Sequence, residues 1–138
     1  DRAGVKPGTG DPMTETDRRV LVRRFWQEVA TGRDFSRLGE LVHENFMLHL
    51  GGRELWPRAM CRGWLERLLG RADAPEFLLD DLFAHHDRVV VRWRGRGRSA
   101  EGSAGQGAGR QDADSAGVVI FRVRDGKLRE AWLGSHHA

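Results

Sequence analysis

The sequence has no tyrosine, one cysteine, and only two lysines (Lys6 and Lys127) among its 23 basic residues. Each shortage removes a class of chemistry. Without tyrosine, no phenol can donate or accept a proton. A single cysteine, Cys61, permits neither an intrachain disulfide nor a cysteine-based zinc site. No apolar run approaches a membrane span, and no charged-then-apolar leader opens the chain, so no membrane partner and a cytoplasmic location are expected. The pI near 9.9 points towards nucleic acid, but the net charge is only +3. Arginine stays charged to very high pH, so the pI reflects arginine usage rather than a large positive field. No nucleic-acid partner is expected.

A chain of 138 residues is long enough for one domain with a real core. "DRAGVKPGTGDP" is rich in Gly and Pro and lacks apolar periodicity. Residues 1–13 therefore read as a flexible tail, with Met13 a candidate start, ahead of a single domain over 14–138. Val22, Phe25, Trp26 and Val29 fall at helical spacing, and Gly32 can close that helix. "DFSRLGELVHENF" predicts a short second helix with Phe35, Leu38, Leu41 and Val42 inward, followed by a strand "NFMLHL". Pro57 suits the first turn of a third helix, whose Cys61, Trp64, Leu65 and Leu68 form one stripe up to Gly70.

Beyond "RADAP" the period changes to two. "EFLLDDLFA" turns through "HHD" into "DRVVVRWRGRG", and Asp125-Gly126 joins "SAGVVIFRVR" to "KLREAWLG" as a second hairpin. Residues 99–113, rich in Gly, Ala and Ser, read as a mobile loop. Helices first and antiparallel strands last predict an α+β fold, with helices packed on one face of a curved sheet. Strand parity puts Arg92, Arg94, Arg96 and Arg98 on one face and Val91, Trp93, Gly95 and Gly97 on the other. Arg122 and Arg124 alternate in the same way with Phe121 and Val123, and Glu130, Asp112 and Asp114 are available to balance the arginine face.

"DDLFAHHDRVVVRWRGRG", "SAGVVIFRVRDGKLREAW" and "VRRFWQEVATGRDFSRLGELVHENFMLH" occur in the order found in SnoaL-like proteins of the NTF2-like superfamily, which the chain resembles. The resemblance implies a cone: N-terminal helices packed on a strongly curved, mainly antiparallel sheet enclosing a pocket. It also implies a homodimer through the outer sheet face. The implied activity is cofactor-independent cyclisation or isomerisation of a polyketide-like or other hydrophobic small molecule by acid/base catalysis, with an aspartate assisted by a pocket histidine.

The chain departs from that pattern. The family's aspartate position corresponds to Val119, which cannot move a proton, and the strand histidine position falls near Ser99. The first-strand histidine remains as His49, which becomes the main acid/base candidate because imidazole titrates near neutrality. Asp80 and Asp81 are adjacent and should point to opposite faces of their strand, so one can reach the pocket; Asp81 is the second catalytic candidate. Trp26, Trp64, Trp93, Ser99, Val119, Phe121 and Trp132 are the expected substrate-binding wall, suited to a flat aromatic or polycyclic guest.

Three other readings compete. The missing aspartate allows a non-catalytic ligand-binding or scaffold module. Arg110, Asp112 and Asp114 alternate in a pattern similar to the Asp-Arg-Asp set of epoxide hydrolases in the same superfamily. Nucleic-acid binding rests on arginine count alone. His43, His49, His85, His86 and the terminal His136-His137 show no metal-ligand spacing. Cys61 reads as buried filler. No metal and no cofactor are expected.

Overall fold

The structure, a computed structural model, describes residues 12–97 and 115–136. Residues 98–114, which include the predicted 99–113 loop and Arg98, Ser99, Arg110, Asp112 and Asp114, lie outside the described residues, as do residues 1–11 and 137–138. No described helix is long and apolar enough to cross a membrane.

Helix α1 (Glu15–Phe25) starts at a capping box. Thr14 Oγ1 accepts from the Asp17 amide at 3.0 Å, and the Asp17 carboxylate accepts from the Thr14 amide at 3.0 Å. Two amide donors at this end are thereby satisfied. The helix buries Leu21, Val22 and Phe25, then widens into a π-helical turn over Trp26–Thr31 that buries Trp26 and Val29. Gly32 follows, but the left-handed residue that turns the chain is Arg33, at φ 61°. Glycine is needed at 32 for space, because a Cβ there would lie 2.7 Å from the Gln27 carbonyl oxygen.

The second helix is shorter than the sequence pattern predicts. A 3-10 turn (Phe35–Arg37) and a single turn α2 (Leu38–Leu41) give way to strand β1 (Val42–His49). The strand opens at Val42 rather than Asn45 because Val42 pairs with Leu128 across the sheet, ahead of a register shift before Met47. A two-residue strand β2 (Glu54–Leu55), not predicted, pairs with the end of β1. Helix α3 (Arg58–Leu69) runs from Pro57 to Gly70 as expected.

The remaining strands are β3 (Glu76–His85), β4 (Arg88–Arg96), β5 (Ser115–Arg124) and β6 (Lys127–His136). The six strands form one curved sheet in the order β2-β1-β6-β5-β4-β3. Every neighbouring pair is antiparallel except β1 with β6, so the sheet is mixed and mainly antiparallel. Both predicted hairpins are present, with His86 (φ 55°) and Asp125-Gly126 (φ 55° and 82°) supplying the left-handed turn residues that such tight connections require.

The predicted parity of β4 holds: Val89, Val91, Trp93 and Gly95 are buried, while Arg88, Arg92, Arg94 and Arg96 are exposed. β3 departs from simple parity. A bulge between Leu79 and Asp81 shifts the register, so the two adjacent aspartates do not face opposite sides. Asp81 pairs in register with the outward Arg92, and the Asp80 carboxylate binds Arg94 at 2.9 Å on that same outer face. An extra residue in one strand of a pair has this effect.

Arg18 is a buried charge that the sequence reading does not single out. Its Nε donates to the Val123 carbonyl at 2.8 Å, and its Nη1 to the carbonyls of Met13 (3.0 Å) and His86 (3.3 Å). One guanidinium therefore ties α1 to the turn ends of both hairpins. A fixed fork of donors suits three carbonyls converging from different elements.

Candidate functional site

The helices and the concave sheet face do not close completely. They enclose a cavity of about 360 Å³. Phe25, Trp26 and Ala30 line it from the first helix, Cys61, Trp64 and Leu65 from α3, and Phe46, Leu48, Trp93, Val119, Phe121 and Leu133 from the sheet. Five of the predicted wall residues meet here: Trp26, Trp64, Trp93, Val119 and Phe121. Phe46, Leu65 and Phe77 also belong to the wall. Phe46 and Leu65 were legible in principle, since each falls on the buried face of a recognisable element.

The polar groups of this wall are mostly engaged. Trp26 Nε1 donates to the Phe77 carbonyl at 3.1 Å. Arg58 Nη1 donates to the Val42 carbonyl at 2.9 Å, and Arg62 pairs with Glu66 at 2.8 Å. The Cys61 thiol lies 3.4 Å from the Leu55 carbonyl, and burial pushes its pKa up to about 11, which keeps it a thiol and a poor nucleophile. Among the described residues lining the cavity there is no carboxylate and no imidazole.

The two catalytic candidates and Trp132 lie elsewhere. Leu48 pairs in register with Ala131 and faces inward, so His49, paired with Trp132, faces out. Side chains on a strand alternate, and the residue next to a cavity-lining leucine cannot share its face. Asp81 is exposed on β3, its carboxylate accepting from the Leu82 amide at 3.0 Å. His49 and Trp132 instead line a second, more open depression of about 700 Å³ on the convex face, with Gly51, Glu54, Val118 and Ile120.

His49 is held tightly in that depression. Its Nε2 lies 2.6 Å from Glu130 and its Nδ1 3.3 Å from Glu54. Its ring stacks on Trp132 with centroids 5.3 Å apart, and the Arg88 guanidinium sits 4.8 Å from the Trp132 ring centroid. Glu130 is shared with Arg122 at 3.2 Å. A neutral imidazole can donate from only one nitrogen, so two flanking carboxylates favour the imidazolium. The hydrogen bond to Glu130 is the main reason the His49 pKa is raised; partial burial opposes it and Glu54 assists. Partial burial pushes the Glu130 carboxyl up, but His49 and Arg122 together outweigh it and hold the group below the ordinary glutamate value. Among the described residues, no group of three or more His, Cys, Asp and Glu side chains could hold a metal ion.

The raised histidine stabilises the fold fully below its unfolded pKa, and that contribution is lost as pH rises through the raised folded value. The lowered glutamate contributes above its unfolded pKa and loses this as pH falls through the lowered folded value. The pair is therefore most stabilising between about pH 4.3 and 6.5. Glu130→Gln should bring the His49 titration midpoint, read by NMR of the ring protons, down towards the ordinary value. It should cost about 1 kcal/mol of stability within that window and less at alkaline pH. An unchanged midpoint would show that the pair does not form.

With this geometry in place, comparison with known proteins gives a consistent result. The family model described as the SnoaL-like domain matches residues 22–131. A search of the curated proteins gives no match. Among solved structures, a candidate ketosteroid isomerase from Kribbella flavida superposes with a TM-score of 0.73 at 17% identity, covering 90% of this chain and 81% of that one. A candidate SnoaL-like polyketide cyclase from a Jannaschia species gives 0.71 at 15% identity, covering 91% of each chain. An NTF2-like protein of unknown function from Mesorhizobium loti gives 0.70 at 22% identity, covering 91% of this chain and 96% of that one. At such identities the structural likeness speaks to the fold, and the family match spans most of the chain: this chain belongs to the SnoaL-like domain family of the NTF2-like superfamily.

Proposed function

We propose that this domain receives a small, largely apolar molecule in the cavity between its helices and the concave sheet face. The observation that carries this reading is the cavity wall itself, aromatic and aliphatic on nearly every side, with most of its polar atoms turned to protein partners. Its volume lies at the lower end of the ~300–1,000 Å³ typical of ligand pockets. Transfer of apolar surface out of water supplies the driving force.

A second reading, cofactor-free cyclisation or isomerisation of the bound molecule, is favoured by the superposition on a candidate isomerase and a candidate cyclase. In this chain it meets an obstacle: Val119 stands on the wall where the family's aspartate is expected, and His49 and Asp81 open onto the opposite face. Native mass spectrometry of the purified protein against a panel of neutral aromatic and polycyclic compounds tests the binding reading. Binding should be seen in the wild type and fall at least tenfold in Leu65→Trp, which fills the cavity. Retention of affinity in that variant would contradict the proposal. Turnover of a bound compound that His49→Ala abolishes would establish the second reading instead.

The outer face is proposed as the contact between two copies of the chain. Val118 and Phe83 are exposed there, beside ion pairs of Arg94 and Arg92 with Asp80 and of Arg96 with Glu76. Apolar residues interleaved with arginine suit a protein interface. Sedimentation should report a dimer, and Val118→Glu should yield a folded monomer; a wild-type monomer at micromolar concentration would contradict the assignment.

A further inference from the structure

Trp93 carries the one buried side-chain nitrogen or oxygen, among the described residues, that has no hydrogen-bond partner. The residue is 6% exposed and lines the cavity. A buried indole N–H normally finds an acceptor, and one left unmade costs about 1–3 kcal/mol. The contrast with Trp26 on the same wall is informative, because that indole is satisfied by the Phe77 carbonyl. The cavity's other buried donors are likewise turned to the protein.

The orientation of Trp93 is fixed by its neighbours. Phe77 meets its ring edge-on, with centroids 5.4 Å apart and planes at 74°. On the facing strand, Trp93 lies directly across from Gly117, and a Cβ at 117 would come within 2.6 Å of the indole Cζ2 and 2.8 Å of Cε2. The absent side chain makes room for the ring edge next to the N–H. The donor is therefore held in place before any ligand arrives, which reduces the ordering cost of binding.

We infer that Trp93 Nε1 is a polar anchor of the cavity, and that its ligand is a largely apolar skeleton bearing a hydrogen-bond acceptor such as a carbonyl oxygen. The inference rests on the binding proposed above and narrows it to a ligand class. The one buried side-chain nitrogen or oxygen left without a protein partner among the described residues selects an acceptor oxygen over a pure hydrocarbon.

The test uses a matched pair, 1-tetralone and tetralin, which share a bicyclic skeleton and differ in one carbonyl. In the wild type, tetralone should bind roughly threefold to tenfold more tightly, as expected for one neutral hydrogen bond. The Trp93 Nε1–H resonance, assigned through its own side-chain connectivity, should move downfield with tetralone and not with tetralin. Trp93→Phe keeps an aromatic ring and removes the donor; it should lose the preference for tetralone over tetralin. Equal affinities in the wild type, or a preference that survives in Trp93→Phe, would overturn the anchor while leaving cavity binding intact. Failure of both compounds to bind, or binding of both that Leu65→Trp leaves unchanged, would overturn the underlying reading as well. If Trp93→Phe does not fold, the wild-type affinities and the indole resonance decide the matter.

Discussion

The register of β4 against β5 is the constraint on which the rest depends. It places Val91 across from Val119, and Trp93 across from Gly117. Trp93 and Val119 of those pairs line the cavity, while Arg92 and Arg94 on the same strand as Trp93 face out. A slip of one residue would exchange the two faces, driving arginines into the cavity and the indole into solvent. The bulk of Trp93 and the lack of it at Gly117 make that register specific, because the ring fits beside a glycine and beside no larger residue.

From this separation follow two environments with different chemistry. The inner one is largely apolar, bounded by aromatic rings such as the edge-on pair of Phe25 and Phe121; its fixed Trp93 donor would be worth more there than in water. The outer one is a lattice of arginines and carboxylates, in which Glu130 serves both His49 and Arg122. Exposed ion pairs of this kind contribute little stability individually. The carboxylates of this cluster do hold His49 towards its protonated form. A base acting inside the cavity cannot be drawn from this cluster without moving it through the sheet.

Much of the fold was legible because periodicity survives in short windows. The alternation in "DRVVVRW", the Asp125-Gly126 turn and the α3 stripe each report one local fact, and the structure contains all three. The wall residues Trp26, Trp64, Trp93, Val119 and Phe121 followed from the same faces. Three features were not legible. The bulge at Asp80 depends on how β3 pairs, and pairing is set by the partner strand rather than by β3 itself. The orientation of His49 depends on which of two alternating faces the helices cover, and Leu48 beside it gave the answer only once its inward packing was known. Arg18 looks like any helical surface arginine, and its role appears only when three carbonyls from distant segments converge on it.

The account's central claim is that the ligand enters the inner cavity and not the outer depression. Intermolecular nuclear Overhauser effects between bound 1-tetralone and isotope-labelled protein test this most directly, because the two candidate sites lie on opposite faces of one sheet. The account predicts contacts to Val119, Phe121 and Leu65, with none to Val118, Ile120 or Trp132. Contacts confined to Val118, Ile120 and Trp132 would place the ligand on the convex face and contradict it.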